Sequence, residues 1–279
     1  MSYALTLEQE LTNTINTYKN QTLPSVLPNW LIELGIKAED MIVEASNIGS
    51  ANHLNKTDVI IKLNNSTPIK ISMKLINADY FGNWYSHNWI INEFGIDAFN
   101  SLVQATTDFA NEWKHITKNL FVGVSVSFGK RVGKTGQLFT DIFKEKEIIN
   151  IVQGAGVGDN IANCLYVSNA CPKDINELID NLMPINLSTI KSLTSDFKII
   201  YRPVNPSTEK SNRGKNSYTM FLPKIKLTAP TIITNIDQLN SLGEYVIITE
   251  PNQLNHNNIL NILENKYNII VPRKGSEII

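Results

Sequence analysis

Three polar residues at the ends of two short alternating segments have types suited to catalysis. Asp58 opens the first segment, and Ser72 and Lys74 close the second. Every second residue in each segment is apolar, which predicts two β-strands, and the polar break at residues 64–67 predicts a hairpin turn between them. A carboxylate, a hydroxyl and an ammonium at one end of a hairpin suit phosphodiester hydrolysis. The carboxylate could hold a hard cation such as Mg²⁺, and the lysine could orient or activate water.

The apolar residues also predict the register of this hairpin. Val59 and its alternate neighbours form the apolar face of the first strand, and Met73 and its alternate neighbours form that of the second. Burying both sets together requires paired positions whose numbers sum to an even value, for example Val59 opposite Met73. That register places Asp58 opposite Lys74. An ordinary hairpin with a polar outer face has the same pattern and is the alternative.

The run Asn55-Lys56-Thr57-Asp58-Val59, followed by Ser72-Met73-Lys74, resembles the Asp…(Glu/x)-x-Lys signature of the PD-(D/E)XK nuclease superfamily, to which type II restriction endonucleases belong. In that family the aspartate opens one hairpin strand, the x-Lys pair ends the next, and a helix and another strand follow. Residues 25–128 match this order. The resemblance implies a restriction-endonuclease-like α/β core, with a central mixed β-sheet flanked by helices. It also implies Mg²⁺-dependent, sequence-specific cleavage of double-stranded DNA, a homodimer and a companion DNA methyltransferase.

Ser72 departs from the common signature, in which Glu or Asp stands at that position. It resembles the subgroup of restriction endonucleases with Ser-x-Lys and a relocated carboxylate. Because a hydroxyl is a poor substitute for an anionic metal ligand, we expect another acid to complete the metal site with Asp58. The candidates are Glu44, Asp79 and Glu93, and we favour Glu44 and Glu93. For each of them the alternative is a solvated surface acid.

Two basic segments downstream are candidates for contact with DNA. The turn with Lys130, Arg131 and Lys134 follows a predicted buried strand and suits contact with backbone phosphate. Its glycine spacing is one residue too short for a Walker A loop. Residues 198–226 contain seven basic residues and a single acid, and arginine and asparagine there could read guanine and adenine edges. In both segments the alternative is a solvated loop. The candidates in the second segment are Arg202, Asn212, Arg213, Lys215 and Asn216.

Composition indicates a folded globular protein and excludes a disordered tail or a fibre. Hydrophobic residues make up 42% and charged residues 18% of the chain. The formal net charge of -1 argues against nonspecific coating of nucleic acid but allows a local basic cleft. Residues 1–10 lack the features of a signal peptide, and no stretch approaches the roughly 18 apolar residues of a membrane span. We therefore expect a cytoplasmic location without a membrane partner, and buried free thiols at Cys164 and Cys171.

The remaining pattern predicts α/β organisation without a Pro/Gly/Ser-rich linker. We expect helices at residues 7–18, 28–34, 84–118 and 175–182, strands at 120–128, 197–202 and 219–227, and a strand, helix and strand within 245–271. The glycine-rich run at residues 154–159 lacks the spacing of a dinucleotide fingerprint and is predicted to be a loop. We expect residues 1–190 to form the nuclease core with its N-terminal helices. Residues 191–279 should form a C-terminal α/β segment packed on the same body.

Two other functions fit the same residues. A repair or recombination nuclease would read DNA structure instead of sequence, and cleavage of plasmid DNA at one defined site would distinguish a restriction enzyme from it. A DNA-binding module that kept the fold and lost the chemistry is a second alternative, raised by the missing carboxylate at Ser72. Such a module would bind mixed DNA without cutting it, with or without Mg²⁺.

Overall fold

The computed structural model describes residues 3–48, 56–83, 85–131, 133–154, 156–208, 216–249 and 254–275. Its helices in chain order are α1 (Tyr3–Asn16), α2 (Asn29–Glu33), α3 (His87–Phe94), α4 (Ile96–Trp113), α5 (Ile148–Gln153), α6 (Ile175–Asn181), α7 (Leu187–Thr194), α8 (Ile236–Asn240) and α9 (His256–Tyr267). Its strands are β1 (Ile42–Asn47), β2 (Val59–Leu63), β3 (Ile69–Lys74), β4 (Tyr80–Asn83), β5 (Gly123–Gly129), β6 (Gly136–Leu138), β7 (Cys164–Val167), β8 (Leu182–Pro184), β9 (Lys198–Pro203), β10 (Thr219–Pro223), β11 (Thr231–Ile232), β12 (Gly243–Ile247) and β13 (Ile269–Ile270).

The chain forms two compact units, and neither of them is one continuous segment. The first comprises Met1–Phe81 and Glu145–Phe197, and the second comprises Gly82–Lys144 and Lys198–Ile279. The chain thus leaves the first unit after β3 and returns to it before α5. These units differ from the consecutive segments 1–190 and 191–279 expected from the sequence. Contacts between residues far apart in the sequence determine how the chain divides into two units, and a local sequence pattern does not predict such contacts.

The first unit contains a mixed sheet, which agrees with the predicted α/β class and its sheet flanked by helices. Within the described residues the strand order is β1-β2-β3-β7-β8. Strands β3 and β7 run parallel, and the other neighbours run antiparallel. We expected residues 120–128 to be the next strand after the hairpin in the core. They form β5 in the sheet of the second unit instead, because the chain enters that unit between β3 and β7.

Helix α1 covers part of this sheet and closes its core. Leu7, Leu11 and Ile15 recur every four residues, so they lie on one face of the helix. They belong to one buried cluster with Val59 and Ile71, on the apolar face that the alternation predicts for the hairpin. The predicted faces of both hairpin strands are therefore confirmed. Of the two cysteines, which are both free, Cys164 is buried as expected and Cys171 is only partly buried.

The hairpin register is shifted by two residues from the one we expected. Val59 pairs with Ile71, not with Met73, so the sequence-based register was wrong. Both registers have even sums and bury the same side chains, and apolar alternation therefore cannot distinguish them. A shift of two leaves every side chain on its predicted face but moves Asp58 relative to the end of β3.

Asp40, outside the hairpin, holds the turn between β2 and β3. Asp40 is 6% exposed, and its carboxylate accepts hydrogen bonds from the backbone N–H of Asn65 at 2.9 Å and from the hydroxyl of Ser66. It also accepts one from the N–H of Met41 at 2.9 Å. These contacts fix the turn residues, and through them they favour one register of the strands on either side.

The second unit has its own sheet, in the order β12-β10-β5-β9-β6 with β4 beside β5. All seven residues of β5 are buried, as predicted for a core strand. The helical region expected at residues 84–118 is two helices, α3 and α4, which separate at Gly95. Gly95 has a φ of +89°, a conformation that glycine adopts readily. Throughout the described residues, no helix has the length and apolar character needed to cross a membrane.

Asp40→Ala should lower the free energy of unfolding by about 2 kcal/mol, because the turn donors lose a charged acceptor. Burial acts to raise the pKa of Asp40, but the hydrogen bonds from Ser66, Asn65 and Met41 outweigh it and hold the pKa below its ordinary 3.8. A carboxyl group with a lowered folded pKa stabilises the protein above its unfolded pKa, and this contribution is lost as the pH falls through the folded value.

The destabilisation should therefore be complete near neutral pH and should shrink below about pH 4. Denaturant unfolding of wild type and variant at several pH values measures it. Asp79→Ala, at an exposed position of the same unit, is the control and should change stability by less than about 0.5 kcal/mol. Equal effects of the two substitutions would contradict the role assigned to Asp40.

Candidate active site

The hairpin brings Asp58, Ser72 and Lys74 together in spite of the changed register. Lys74 Nζ lies 3.8 Å from Asp58 Oδ2 and donates to Ser72 Oγ at 2.9 Å and to the backbone oxygen of Met73 at 2.8 Å. Asp58 Oδ2 in turn accepts a hydrogen bond from the N–H of Met73 at 2.7 Å. The carboxylate therefore caps the end of β3, where the ladder with β2 stops, and Lys74 reaches back towards it.

Both charged side chains are only partly open to water. The Asp58 side chain is 26% exposed and the Lys74 side chain 15%, while Ser72 is fully buried. Asp58 stands directly before β2 and Lys74 is the last residue of β3. A partly buried carboxylate and ammonium at adjoining strand ends are the arrangement that the sequence predicts, reached through a different register.

Glu8 on α1 is a second carboxylate at this site, and the sequence did not point to it. Burial and the negative charge of Asp58 raise the pKa of Glu8 from 4.5 to about 6, while a hydrogen bond with the Asn47 side chain and the charge of Lys74 oppose this rise. The one signal in the sequence is that Glu8 directly follows the buried Leu7, on the flank of the apolar face of an amphipathic helix. Such acids are usually solvated, so that signal is weak.

A second lysine, Lys56, completes the cluster. Burial lowers its pKa to about 8, against the opposing charge of Asp58. Burial also lowers the pKa of Lys74, and Lys56 adds to that effect, whereas Asp58 and Glu8 oppose it. Two carboxylates and two ammonium groups thus act on one another in a part of the first unit with limited access to water. Asn55, which precedes Lys56 in the motif, lies outside the described residues.

The glycine-rich loop after α5 holds Lys56 in place. The N–H of Lys56 donates to the backbone oxygen of Asn160 at 3.0 Å. Gly154 has a φ of +93°, and a Cβ there would lie 3.0 Å from Cγ of Lys56. Lys70 Nζ donates to the backbone oxygen of Gly158 at 2.7 Å. This run, which the sequence predicted only as a loop, is therefore attached by hydrogen bonds to the polar side of the hairpin of β2 and β3.

Asp58 and Glu8 are the residues of the cluster that could hold a metal ion, and their chemistry fits a hard cation such as Mg²⁺. Their donors are oxygens, and a divalent cation would offset the two causes that raise the pKa of Glu8, which are burial and the negative charge of Asp58. Within the described part of the chain, no three His, Cys, Asp or Glu side chains form a metal-binding group. Two carboxylates suffice for Mg²⁺, which commonly keeps several waters and takes further ligands from a substrate phosphate.

The structure does not bring Glu44 to this cluster. Its carboxylate is 43% exposed and pairs with Lys62 Nζ at 2.6 Å, and Glu44 lies opposite Lys62 in the ladder of β1 and β2. Lys62 is four residues from Asp58, which corresponds to about 13 Å along a strand. Asp79 is exposed in the segment before β4, and Glu93 is half-buried on α3 of the second unit.

The residues expected to contact DNA lie in the second unit. Lys130 and Arg131 are half-buried directly after β5, and Lys134 is exposed in the same turn. Arg202 lies in β9, opposite Ser125 of β5. These positions keep the turn at the end of β5 as a candidate for phosphate contact.

The candidate loop for base contact is described only at its end. The side-chain nitrogen of Asn216 donates to the backbone oxygen of Tyr85 at 3.5 Å, and Asn216 forms an isolated β-bridge with Asn255. These contacts hold Asn216 against its own unit. Asn212, Arg213 and Lys215 lie outside the described residues.

Glu8→Gln should stabilise the metal-free protein near neutral pH, because it removes one of two neighbouring carboxylates. The folded pKa of Glu8, about 6, exceeds its ordinary 4.5. The stability linked to its bound proton is therefore complete below the unfolded pKa and is lost as the pH rises through about 6. The gain from Glu8→Gln should appear over the same range and vanish in acid.

Chemical unfolding in a chelating buffer, at steps of about one pH unit from roughly pH 4 to 7, would measure this gain. Glu10→Gln, exposed two residues along the same helix, is the matched control. A Glu8→Gln protein less stable than wild type at neutral pH would show that Glu8 is not repelled by Asp58.

Comparisons of the chain with protein-family models, with curated proteins and with solved structures give no match. The properties of the cluster itself are what bear on function. It combines a carboxylate, two lysines of lowered pKa and a buried serine at the hairpin of β2 and β3 with a second carboxylate from α1. This combination can bind a hard cation, attract an anion and transfer a proton.

Proposed function

We propose that this chain is a Mg²⁺-dependent nuclease that hydrolyses phosphodiester bonds of double-stranded DNA at a defined sequence. The observation that carries the proposal is the pairing of Asp58 with Lys74 at 3.8 Å, beside the second carboxylate of Glu8. A carboxylate pair and a lysine of lowered pKa suit metal-assisted hydrolysis of a phosphate ester. A homodimer and a companion DNA methyltransferase belong to the same proposal.

The order of elements in the first unit supports a restriction-endonuclease-like core. In the family that the motif resembles, a helix and another strand follow the hairpin. In the first unit α5 and β7 follow β3, and β7 pairs with β3 in parallel. The carboxyl ends of both strands therefore point the same way, and Lys74 stands at the end of β3, where ligands commonly bind in α/β sheets.

Each residue of the cluster has a distinct role in this proposal. Asp58 and Glu8 would hold Mg²⁺, which polarises the phosphate and makes a bound water more acidic. Lys74, held by Ser72 Oγ and the backbone oxygen of Met73, would orient the attacking water. Because its pKa is lowered, its Nζ would accept the proton of that water more readily than an exposed lysine would. Lys56 would offset negative charge developing on the phosphate.

Glu8 favours an active enzyme over a DNA-binding module that has lost its chemistry. That alternative rested on the missing carboxylate at Ser72, and Glu8 supplies a carboxylate to the same cluster from α1. The hydroxyl of Ser72 has another task, since it accepts a hydrogen bond from Lys74 Nζ. The repair or recombination nuclease uses the same chemistry and is distinguished from our proposal by mapping the cut positions on plasmid DNA.

Asp58→Ala and Lys74→Ala should each reduce the rate of DNA cleavage by at least about a hundredfold, because each removes a group that acts on the reacting atoms. Glu8→Ala should be almost as damaging. Initial rates on plasmid DNA with saturating Mg²⁺ measure the loss. Glu44→Ala is the matched control, since that acid is exposed and paired with Lys62, and it should cut at nearly the wild-type rate. Near-normal cutting by the Asp58 or Lys74 variant would refute the assignment.

Replacing Lys130, Arg131 and Lys134 with alanine should weaken DNA binding regardless of sequence. Each phosphate contact that is lost should reduce the slope of log affinity against log salt by about 0.9. Affinities for two unrelated duplexes, measured across a salt series, give that slope. Lys266→Ala, exposed on α9, controls for the loss of charge alone. An unchanged slope in the triple variant would place the turn away from DNA.

A further inference from the structure

A cavity of about 300 Å³ opens in the second unit, whereas the charged cluster belongs to the first. The residues that line it come from four segments of the chain, which lie before β5, after β9, after β11 and after β13. Its volume is at the lower end of the range for small-molecule sites and equals that of about ten water molecules. None of its lining residues has a role in the proposed nuclease chemistry.

Backbone hydrogen bonds hold the walls of this cavity in place. The N–H of Val122 donates to the oxygen of Val204 at 3.2 Å, which joins the segment before β5 to the segment after β9. Strands β11 and β13 pair in parallel, and the N–H of Ile233 donates to the oxygen of Ile270 at 2.9 Å. Ile233 directly follows β11, and Val271 directly follows β13. The cavity therefore lies beyond the carboxyl ends of two parallel strands, where ligands commonly bind in α/β folds.

One part of the lining is apolar and almost closed to water. Leu120, Ile233 and Val271 are 7%, 5% and 7% exposed, and all three line the cavity. A ligand that packs against these side chains removes apolar surface from water on both sides of the contact, which favours binding. The cavity therefore suits a ligand with an apolar body.

The polar part of the lining contains one cation and no acid. Among the described residues that line the cavity, Lys118 is basic and none is Asp or Glu. Lys118 is exposed, and it forms no hydrogen bond or ion pair with another residue in the described part of the chain. Its ammonium group is therefore available to an anion.

Asn205 adds a hydrogen-bond donor to the same lining. Its Oδ1 accepts hydrogen bonds from the N–H of Ser207 at 3.0 Å and from the Ser207 hydroxyl at 2.8 Å. Because these two donors occupy Oδ1, the group that Asn205 has left for a ligand is its Nδ2, which only donates. An ammonium and an amide donor together suit a carboxylate, whose oxygens only accept.

We propose that this cavity binds a small organic acid. The apolar body of the acid packs against Leu120, Ile233 and Val271. Its carboxylate pairs with Lys118 and accepts a hydrogen bond from Asn205 Nδ2. A free phosphate ion would leave the apolar side chains without a partner, and an uncharged compound would leave Lys118 without one. Such a site lies outside the proposed nuclease chemistry and does not depend on it.

Three probes separate the two parts of the cavity. 2-Naphthoate has the rings and the charge, naphthalene-2-carboxamide has the rings alone, and acetate has the charge alone. Calorimetric titration of the whole chain should show that 2-naphthoate binds at least about tenfold more tightly than either of the others, because only 2-naphthoate uses both parts. Absence of 2-naphthoate binding at about 1 mM, or equal affinity for one of the other probes, would overturn the proposal.

Lys118→Met keeps most of the length of the side chain and removes its charge. It should weaken binding of 2-naphthoate about tenfold and change binding of the carboxamide less than about twofold. Lys266→Met, at an exposed position of α9 in the same unit, is the matched control and should bind both probes like wild type. Equal losses for the two probes in Lys118→Met, or equal losses of 2-naphthoate in the two variants, would overturn the site.

Asn205→Asp keeps Oδ1 as an acceptor for Ser207 and replaces the Nδ2 donor with a charged oxygen. It should abolish measurable binding of 2-naphthoate, because two carboxylates would repel each other, and should leave the carboxamide bound. Unchanged binding of 2-naphthoate would contradict the role of Asn205 and overturn the site. Chemical unfolding checks the stability of this variant, and Lys118→Met, at an exposed position, provides an independent test if Asn205→Asp is destabilised.

Discussion

The candidate active site depends on a balance between four charged side chains that have limited access to water. Asp58 and Glu8 oppose Lys56 and Lys74, and burial acts on each group whose pKa is shifted: it lowers the pKa of both lysines and raises that of Glu8. A charge removed from water is unfavourable unless an opposite charge or a hydrogen bond replaces the solvent. A metal cation and a phosphate carry charges of opposite sign, so the cluster could bind both together and keep its positive and negative charges balanced.

Each member of this balance comes from a different part of the first unit. Asp58 and Lys74 stand at strand ends whose register is held from outside the hairpin by Asp40. Glu8 depends on α1, which packs against the sheet through Leu7 and its apolar neighbours. Lys56 is held by the loop at Gly154 and Asn160. The surrounding fold therefore contributes rigidity, and the cluster needs it because close carboxylates repel one another unless packing keeps them together.

The division of the chain explains why the core is hard to recognise along the sequence. After β3 the chain forms Gly82–Lys144, the first of the two segments of the second unit, before it returns to form α5 and β7. The parallel partner of β3, which is β7, is thus distant in sequence, and the buried strand β5, which comes first, belongs to another sheet. Parallel strands require a crossover between them, and nothing in the strands limits how much chain that crossover contains.

By itself the sequence determined the hairpin, its apolar faces and the common polar face of Asp58, Ser72 and Lys74, because period-2 alternation and the position of the break are local properties. Only the tertiary structure decided the register, since a shift of two residues buries the same side chains and Asp40 acts from outside the hairpin. It also decided that Glu8, and not Glu44, joins Asp58, because helix packing across the sheet governs which acid approaches, and no local pattern encodes that contact. The place of β7 beside β3 was decided in the same way, by pairing between strands that the second unit separates in the chain.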